Sequence, residues 1–154
     1  MRSLICDANV LVLLIVGNVD RKAITFHKRT RQFIETDFDL LAEIVQRFDL
    51  CVVTTSVLTE ASNLLAHTHE ALKLRLLVEL RRFVAIASEE RPESRVAVAD
   101  EVYTRLGLTD AGLMTCVRSG SSLLTTDLGL YLAAAKLSDK VFNFNHLRQN
   151  DLLS

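Results

Sequence analysis

Leu4-Ile5-Cys6-Asp7-Ala8-Asn9-Val10-Leu11-Val12-Leu13-Leu14-Ile15-Val16 decides how the rest of this chain is read. Leu4–Cys6 reads as a short buried strand, and Asn9–Val16 as a helix packed over the strand's end. Asp7 interrupts the apolar run where one gives way to the other. An unpaired buried carboxylate costs several kcal/mol, and no basic residue lies near it in sequence, so Asp7 is expected to serve a function. The run resembles the core of a signal peptide. With Asp7 and Asn9 inside it and no small-residue cleavage site before Asp20-Arg21-Lys22, it is expected to be a buried element instead. At about 13 residues it is also short of the roughly 20 that cross a bilayer.

Working outward, short β-rich runs alternate with helical stretches. The spacing predicts helices over 21–34 and 38–48, a strand at Cys51–Thr54, a helix capped by Ser56 and ending near Ala66, and a helix over Glu70–Arg82. It predicts a third strand at Phe83–Ile86 and an exposed charged loop at Glu89–Glu93. A helix follows over Ser94–Leu106, stopped by Gly107. Another runs from a Thr109 cap to about Val117. Leu123–Thr125, Leu128–Leu137 and Val141-Phe142 complete the pattern as strand, helix and strand. Continuous apolar strands alternating with helices imply an α/β fold: a three-layer α/β/α sandwich around a short, mostly parallel sheet of four to five strands.

The 154 residues suit one domain, and 49% apolar content with a single Pro and five Gly excludes disordered and collagen-like chains. Eighteen basic against nineteen acidic residues give a net charge of −1, so any nucleic-acid surface is local. Cys6, Cys51 and Cys116 show no zinc-ligand spacing; reduced thiols in a cytoplasmic protein are the expectation.

In a parallel sheet ligands bind beyond the carboxyl ends of the strands. Asp7 follows the first strand and Glu60 lies early in the helix after the second. Asp110 opens a helix, and Asp127 follows the fourth strand. Each has a plainer reading: Asp127 as a helix cap, Asp110 and Glu60 as first-turn acids facing the helix dipole. Brought together, four acids raise one another's pKa. A hard divalent cation reverses that repulsion, and an all-oxygen donor set suits Mg2+ or Mn2+. The chemistry such a site supports is metal-dependent phosphodiester hydrolysis.

Ile5-Cys6-Asp7-Ala8-Asn9, Ser56-Val57-Leu58-Thr59-Glu60, Leu108-Thr109-Asp110-Ala111 and Leu124-Thr125-Thr126-Asp127 resemble, in order and separation, the four acidic motifs of PIN-domain ribonucleases. Val141-Phe142-Asn143-Phe144-Asn145 resembles the family's last strand. The resemblance implies a Mg2+- or Mn2+-dependent endoribonuclease with Asp7, Glu60, Asp110 and Asp127 as metal-binding, catalytic acids. Asn9 and Thr125 match the accompanying polar positions. It also implies a homodimeric toxin held by an antitoxin protein, although residues 17–49 are longer than in the smallest toxins of the family. The alternative is a non-catalytic module of the same fold that binds RNA or protein. A receiver domain, an aspartyl-phosphate phosphatase and a dinucleotide-binding fold are set aside, for lack of paired acids, of Asp-x-Asp and of GxGxxG.

Charge within the longer segment is uneven. Arg21, Lys22, Lys28, Arg29 and Arg31, with His27, form a basic stretch without an acid. As a helix it offers phosphate contacts; the plainer reading is a solvated face paired with the acids at 35–49. Arg81, Arg82 and Arg118 are weaker candidates for the same role, and His67 and His69 read as surface residues near a helix end.

Overall fold

The computed structural model describes residues 1–153. Among these, β1 (Ser3–Cys6), β2 (Leu50–Thr54), β3 (Ser88–Glu90), β4 (Ser122–Thr125) and β5 (Val141–Asn143) form one all-parallel sheet in the order β3-β2-β1-β4-β5. Ile5 sits between Val52 and Leu123 in register, so β1 is the central strand. The helices are α1 (Ala8–Val19), α2 (Glu35–Gln46), α3 (Thr55–Leu65), α4 (Glu70–Ile86), α5 (Ser94–Ala97), α6 (Tyr103–Leu106), α7 (Leu108–Arg118), α8 (Leu128–Ala135) and α9 (Phe144–Leu153). The crossovers from β1 to β3 carry α1–α4 and those from β3 to β5 carry α5–α8. Right-handed connections place these sets on opposite faces, giving the α/β/α sandwich.

Helix α1 is apolar all round, and Ala8 together with every residue from Val10 to Gly17 is buried, as a helix at the centre of a core must be. It packs against α2, α3 and α4. At Gly17 a Cβ would stand 2.0 Å from a ring carbon of Phe38, so only glycine admits the α2 ring there. Cys6, Cys51 and Cys116 are free thiols. Among the described residues no helix is long and apolar enough to cross a membrane.

Several local expectations are corrected. Phe83–Ile86 continues α4 instead of forming a strand, because Leu72, Leu76, Leu80, Phe83 and Val84 carry helical spacing straight through it. The third strand is the polar Ser88–Glu90, overlapping the start of the segment expected to be an exposed loop at Glu89–Glu93. A short charged strand suits a sheet edge, and Thr55 Oγ1 holds it by donating to Glu89 at 2.9 Å. The single helix expected over 94–106 is broken. Asp100 accepts the Val102 N–H at 2.9 Å and pairs with Arg118, a local bond that competes with the helical ladder. Thr54, not Ser56, caps α3, and Gly107 precedes α7 with Thr109 already inside its first turn. Residues 21–34 form a 3-10 helix over Arg21–Thr25 and then tight turns, not one long helix.

Candidate active site

The strand order reverses between β1 and β4, and the ends of those two strands define the crevice where an open parallel sheet receives ligands. Asp7 leaves β1 there and Asp127 leaves β4. Both cap helices: Asp7 Oδ1 accepts the Val10 N–H at 2.9 Å for α1, and Asp127 Oδ1 accepts the Leu130 N–H at 2.9 Å for α8. Asp7 is buried without a basic partner, and its second oxygen takes the Thr125 hydroxyl and the Thr126 N–H at 3.0 Å. Neutral donors therefore satisfy it, contrary to the expectation that a structural role needs a base. Burial still pushes its pKa up, against those hydrogen bonds and with Asp127 adding to the rise.

Glu60 and Asp110 are different. Neither has a side-chain hydrogen bond or ion pair among the described residues. Asp110 sits in the first turn of α7, and Glu60 in the second turn of α3, one turn deeper than the sequence suggested. With Asp7, Asn9 and Asp127 they line one cleft of about 310 Å3, walled by Leu106, Gly107 and Thr109. Burial first, then Asp127, Asp7 and Glu60, push the Asp110 carboxyl up to about 7. The four acids thus face one another electrostatically. They are not drawn onto a common point, for among the described residues no three His, Cys, Asp or Glu side chains form a ready metal-holding group.

As a donor set, these side chains fit a hard cation. All are oxygen ligands, Glu60 and Asp110 are unused, and Asp7 and Asp127 each keep lone pairs beyond those their caps occupy. Thr125 contributes from behind, through Asp7. Asn9 is exposed at the rim.

Past Glu60 and Thr109 the cleft continues into a shallower groove lined by Thr55, Ser56, Thr59 and Asn63. In sequence, Ser56 reads as a helix cap and Thr59 as part of a motif, and these residues are not grouped as one surface. The signal was available: Ser56, Thr59, Glu60 and Asn63 recur at three- and four-residue spacing, one polar face of a helix.

The basic stretch lies elsewhere. It follows the C-terminal end of α1, whereas the cleft is at its N-terminal end; twelve helical residues span about 18 Å. Arg21 is held by Glu35 at 3.3 Å and Asp39 at 2.7 Å, and Arg29 donates to His67 Nδ1 at 2.8 Å. Arg82 pairs with Glu79 and Arg118 with Asp100. His69 caps α4, while His27 is buried. A larger cavity of about 570 Å3, lined by Leu40, Ile44, Phe48, Phe142 and Leu147 among others, is apolar and away from the acids.

The sequence matches no known protein family and none of the curated proteins.

Proposed function

We propose that this chain is a Mg2+- or Mn2+-dependent endoribonuclease of the PIN type, acting through Asp7, Glu60, Asp110 and Asp127. The observation that carries the reading is that Glu60 and Asp110, without a side-chain hydrogen bond or ion pair among the described residues, share one cleft with two further carboxylates at the switch point of a parallel sheet. Helix capping explains Asp7 and Asp127. The dipole of α7 favours Asp110 in its first turn, but Glu60, in the second turn of α3, has neither a cap nor a side-chain partner among the described residues.

The four acids would hold the metal. The chemistry a divalent cation held there would supply is Lewis-acid polarisation of a phosphodiester and neutralisation of charge on its leaving oxygen. The chain's own residues set the stage for it. Thr125 and the Thr126 N–H fix Asp7 from behind. The α3 hydroxyls and Asn63 offer hydrogen bonds to a strand running along the groove.

A non-catalytic module is the second reading, favoured by the capping roles of Asp7 and Asp127. The test is to incubate the protein with a mixed structured RNA, with and without Mn2+, beside Asp110→Asn and Glu60→Gln, which disturb no cap. Cleavage that needs Mn2+ and is lost in both variants supports the nuclease. A metal that binds only the folded state at a hundred times its Kd also stabilises by about 2.7 kcal/mol. Absence of both cleavage and Mn2+ stabilisation leaves the binding module.

A further inference from the structure

In residues 21–31 the buried side chains are anchors and the outward ones are mostly cations. Ala23, Ile24, His27 and Thr30 are buried. The Thr30 hydroxyl donates to the Ile24 carbonyl at 2.7 Å. His27 Nε2 donates to the Leu65 carbonyl at 3.1 Å, and its Nδ1 accepts the Arg29 N–H at 3.0 Å. That fixes the backbone and turns Arg21, Lys22, Thr25, Phe26, Lys28 and Arg31 outward. Arg21 and Arg29 are taken up by Glu35, Asp39 and His67. Lys22, Lys28 and Arg31 have no side-chain hydrogen bond or ion pair among the described residues. In sequence between Lys22 and Lys28 stands Phe26, 83% exposed.

We propose that Phe26, Lys22, Lys28 and Arg31 form a binding site for single-stranded RNA, a base stacking on the Phe26 ring while the cations contact flanking phosphates. The chemistry selects the ligand. An exposed ring and unpaired exposed cations carried on one short anchored segment match the stacking-plus-phosphate pattern by which unpaired strands are held. A duplex hides its base faces and offers the ring nothing. An anionic bilayer is a poorer match, because one ring and three cations, followed in sequence by the acidic Glu35 and Asp39, make neither a broad apolar face nor a polybasic tract. The site lies the length of α1 away from the carboxylate cleft, so it anchors a strand and does not touch the reacting phosphate. This inference deepens the RNA reading above but does not depend on hydrolysis.

Fluorescence anisotropy in EDTA, with a labelled 12-nucleotide single strand and the matching duplex, tests it. The single strand is expected to bind more tightly than the duplex. Phe26→Ala should weaken it roughly tenfold without changing its salt dependence. The combined Lys22→Gln, Lys28→Gln and Arg31→Gln variant should flatten the slope of log K against log salt by about 2. All these positions are exposed, and unchanged melting temperatures confirm folding. Equal binding by wild type and variants, no binding at all, or tighter binding of duplex overturns the proposal. So does Phe26-dependent sedimentation with phosphatidylserine vesicles in place of any effect on RNA. Phe26-dependent RNA binding without Mn2+-dependent cleavage removes the nuclease reading alone. Cleavage with binding untouched in these variants removes only this site.

Discussion

The Thr125 hydroxyl donates to Oδ2 of Asp7 and accepts the backbone N–H of Asp127, the latter at 3.0 Å. One small side chain on β4 thereby ties the aspartate that starts α1 to the aspartate that starts α8. Thr125→Val keeps the shape but removes a donor from a buried carboxylate and leaves the Asp127 N–H without its acceptor. Leaving such groups unsatisfied costs about 1–3 kcal/mol. Thermal unfolding should show Thr125→Val melting lower than wild type by roughly 2–4 °C for each kcal/mol. Thr125→Ser should recover most of the loss. Equal melting of all three proteins would show that the hydroxyl contributes nothing.

Asp110 titrates in the wrong place for an ordinary carboxylate, and the sign of the effect is set. Its folded pKa of about 7 lies above the unfolded value of about 3.9. Stability is therefore fully present below pH 4 and is lost as the pH rises through 7. In EDTA, Asp110→Asn should melt higher than wild type at pH 8, with the gap closing toward pH 4. The group is partly exposed, so solvent screening keeps the gain to a few degrees. A gap that is the same at both pH values would contradict the assignment.

How much of this was readable in advance depends on which force holds each element. The runs at Leu4–Cys6, Cys51–Thr54 and Leu123–Thr125 are buried on both faces apart from the half-buried Cys51, so composition alone marks them as strands. Ser88–Glu90 is an edge strand made by pairing with Val52, Val53 and Thr54, and its own residues carry no β signal. The break near Asp100 depends on Arg118, eighteen positions away, which no local window contains. Asp7, Glu60, Asp110 and Asp127 share one cleft because the ends of β1, β2 and β4 lie at one edge of the sheet with the start of α7 beside them, and the α/β alternation already implied the strand part of that arrangement. The 21–31 stretch misled as a helix. Its cations are real, but a local bond from buried Thr30 to the Ile24 carbonyl and a bond from buried His27 to the C-terminal end of α3, which no local window contains, hold it in turns.

His27 makes a second pH prediction with the opposite sense. Burial lowers its pKa, reinforced by the neighbouring His67 and Arg29 and resisted by its bond to the Leu65 carbonyl. Its Nδ1 must stay unprotonated to accept the Arg29 N–H. A lowered folded pKa means the contribution is present above about pH 6.5 and is lost as the pH falls toward the folded value. His27→Gln does not titrate. The stability difference between wild type and His27→Gln should therefore shrink from pH 8 to pH 5, as followed by urea unfolding. A difference independent of pH would contradict the neutral, doubly bonded ring.

Gly17→Ala tests the contact of α1 with α2. The added methyl meets the Phe38 ring at a distance no packing tolerates, and ring or helix must shift. Overpacking of this kind costs about 1–3 kcal/mol. The double variant Gly17→Ala with Phe38→Leu should regain part of that loss in a double-mutant cycle. Strict additivity of the two changes would show that the ring does not sit against Gly17.

The two walls of the cleft rest on unequal foundations. Asp7 is rooted in the central strand and a helix enclosed on every side, where amide hydrogens exchange only as the whole protein opens. Leu106 and Gly107, opposite, end a stretch made of a three-residue edge strand and two helices of four residues each. Amides from 88 to 107 should exchange by local opening, far faster than those of residues 4–17. Such opening would release one wall of the cleft while its buried aspartate stays fixed, and would let the width change without disturbing the core.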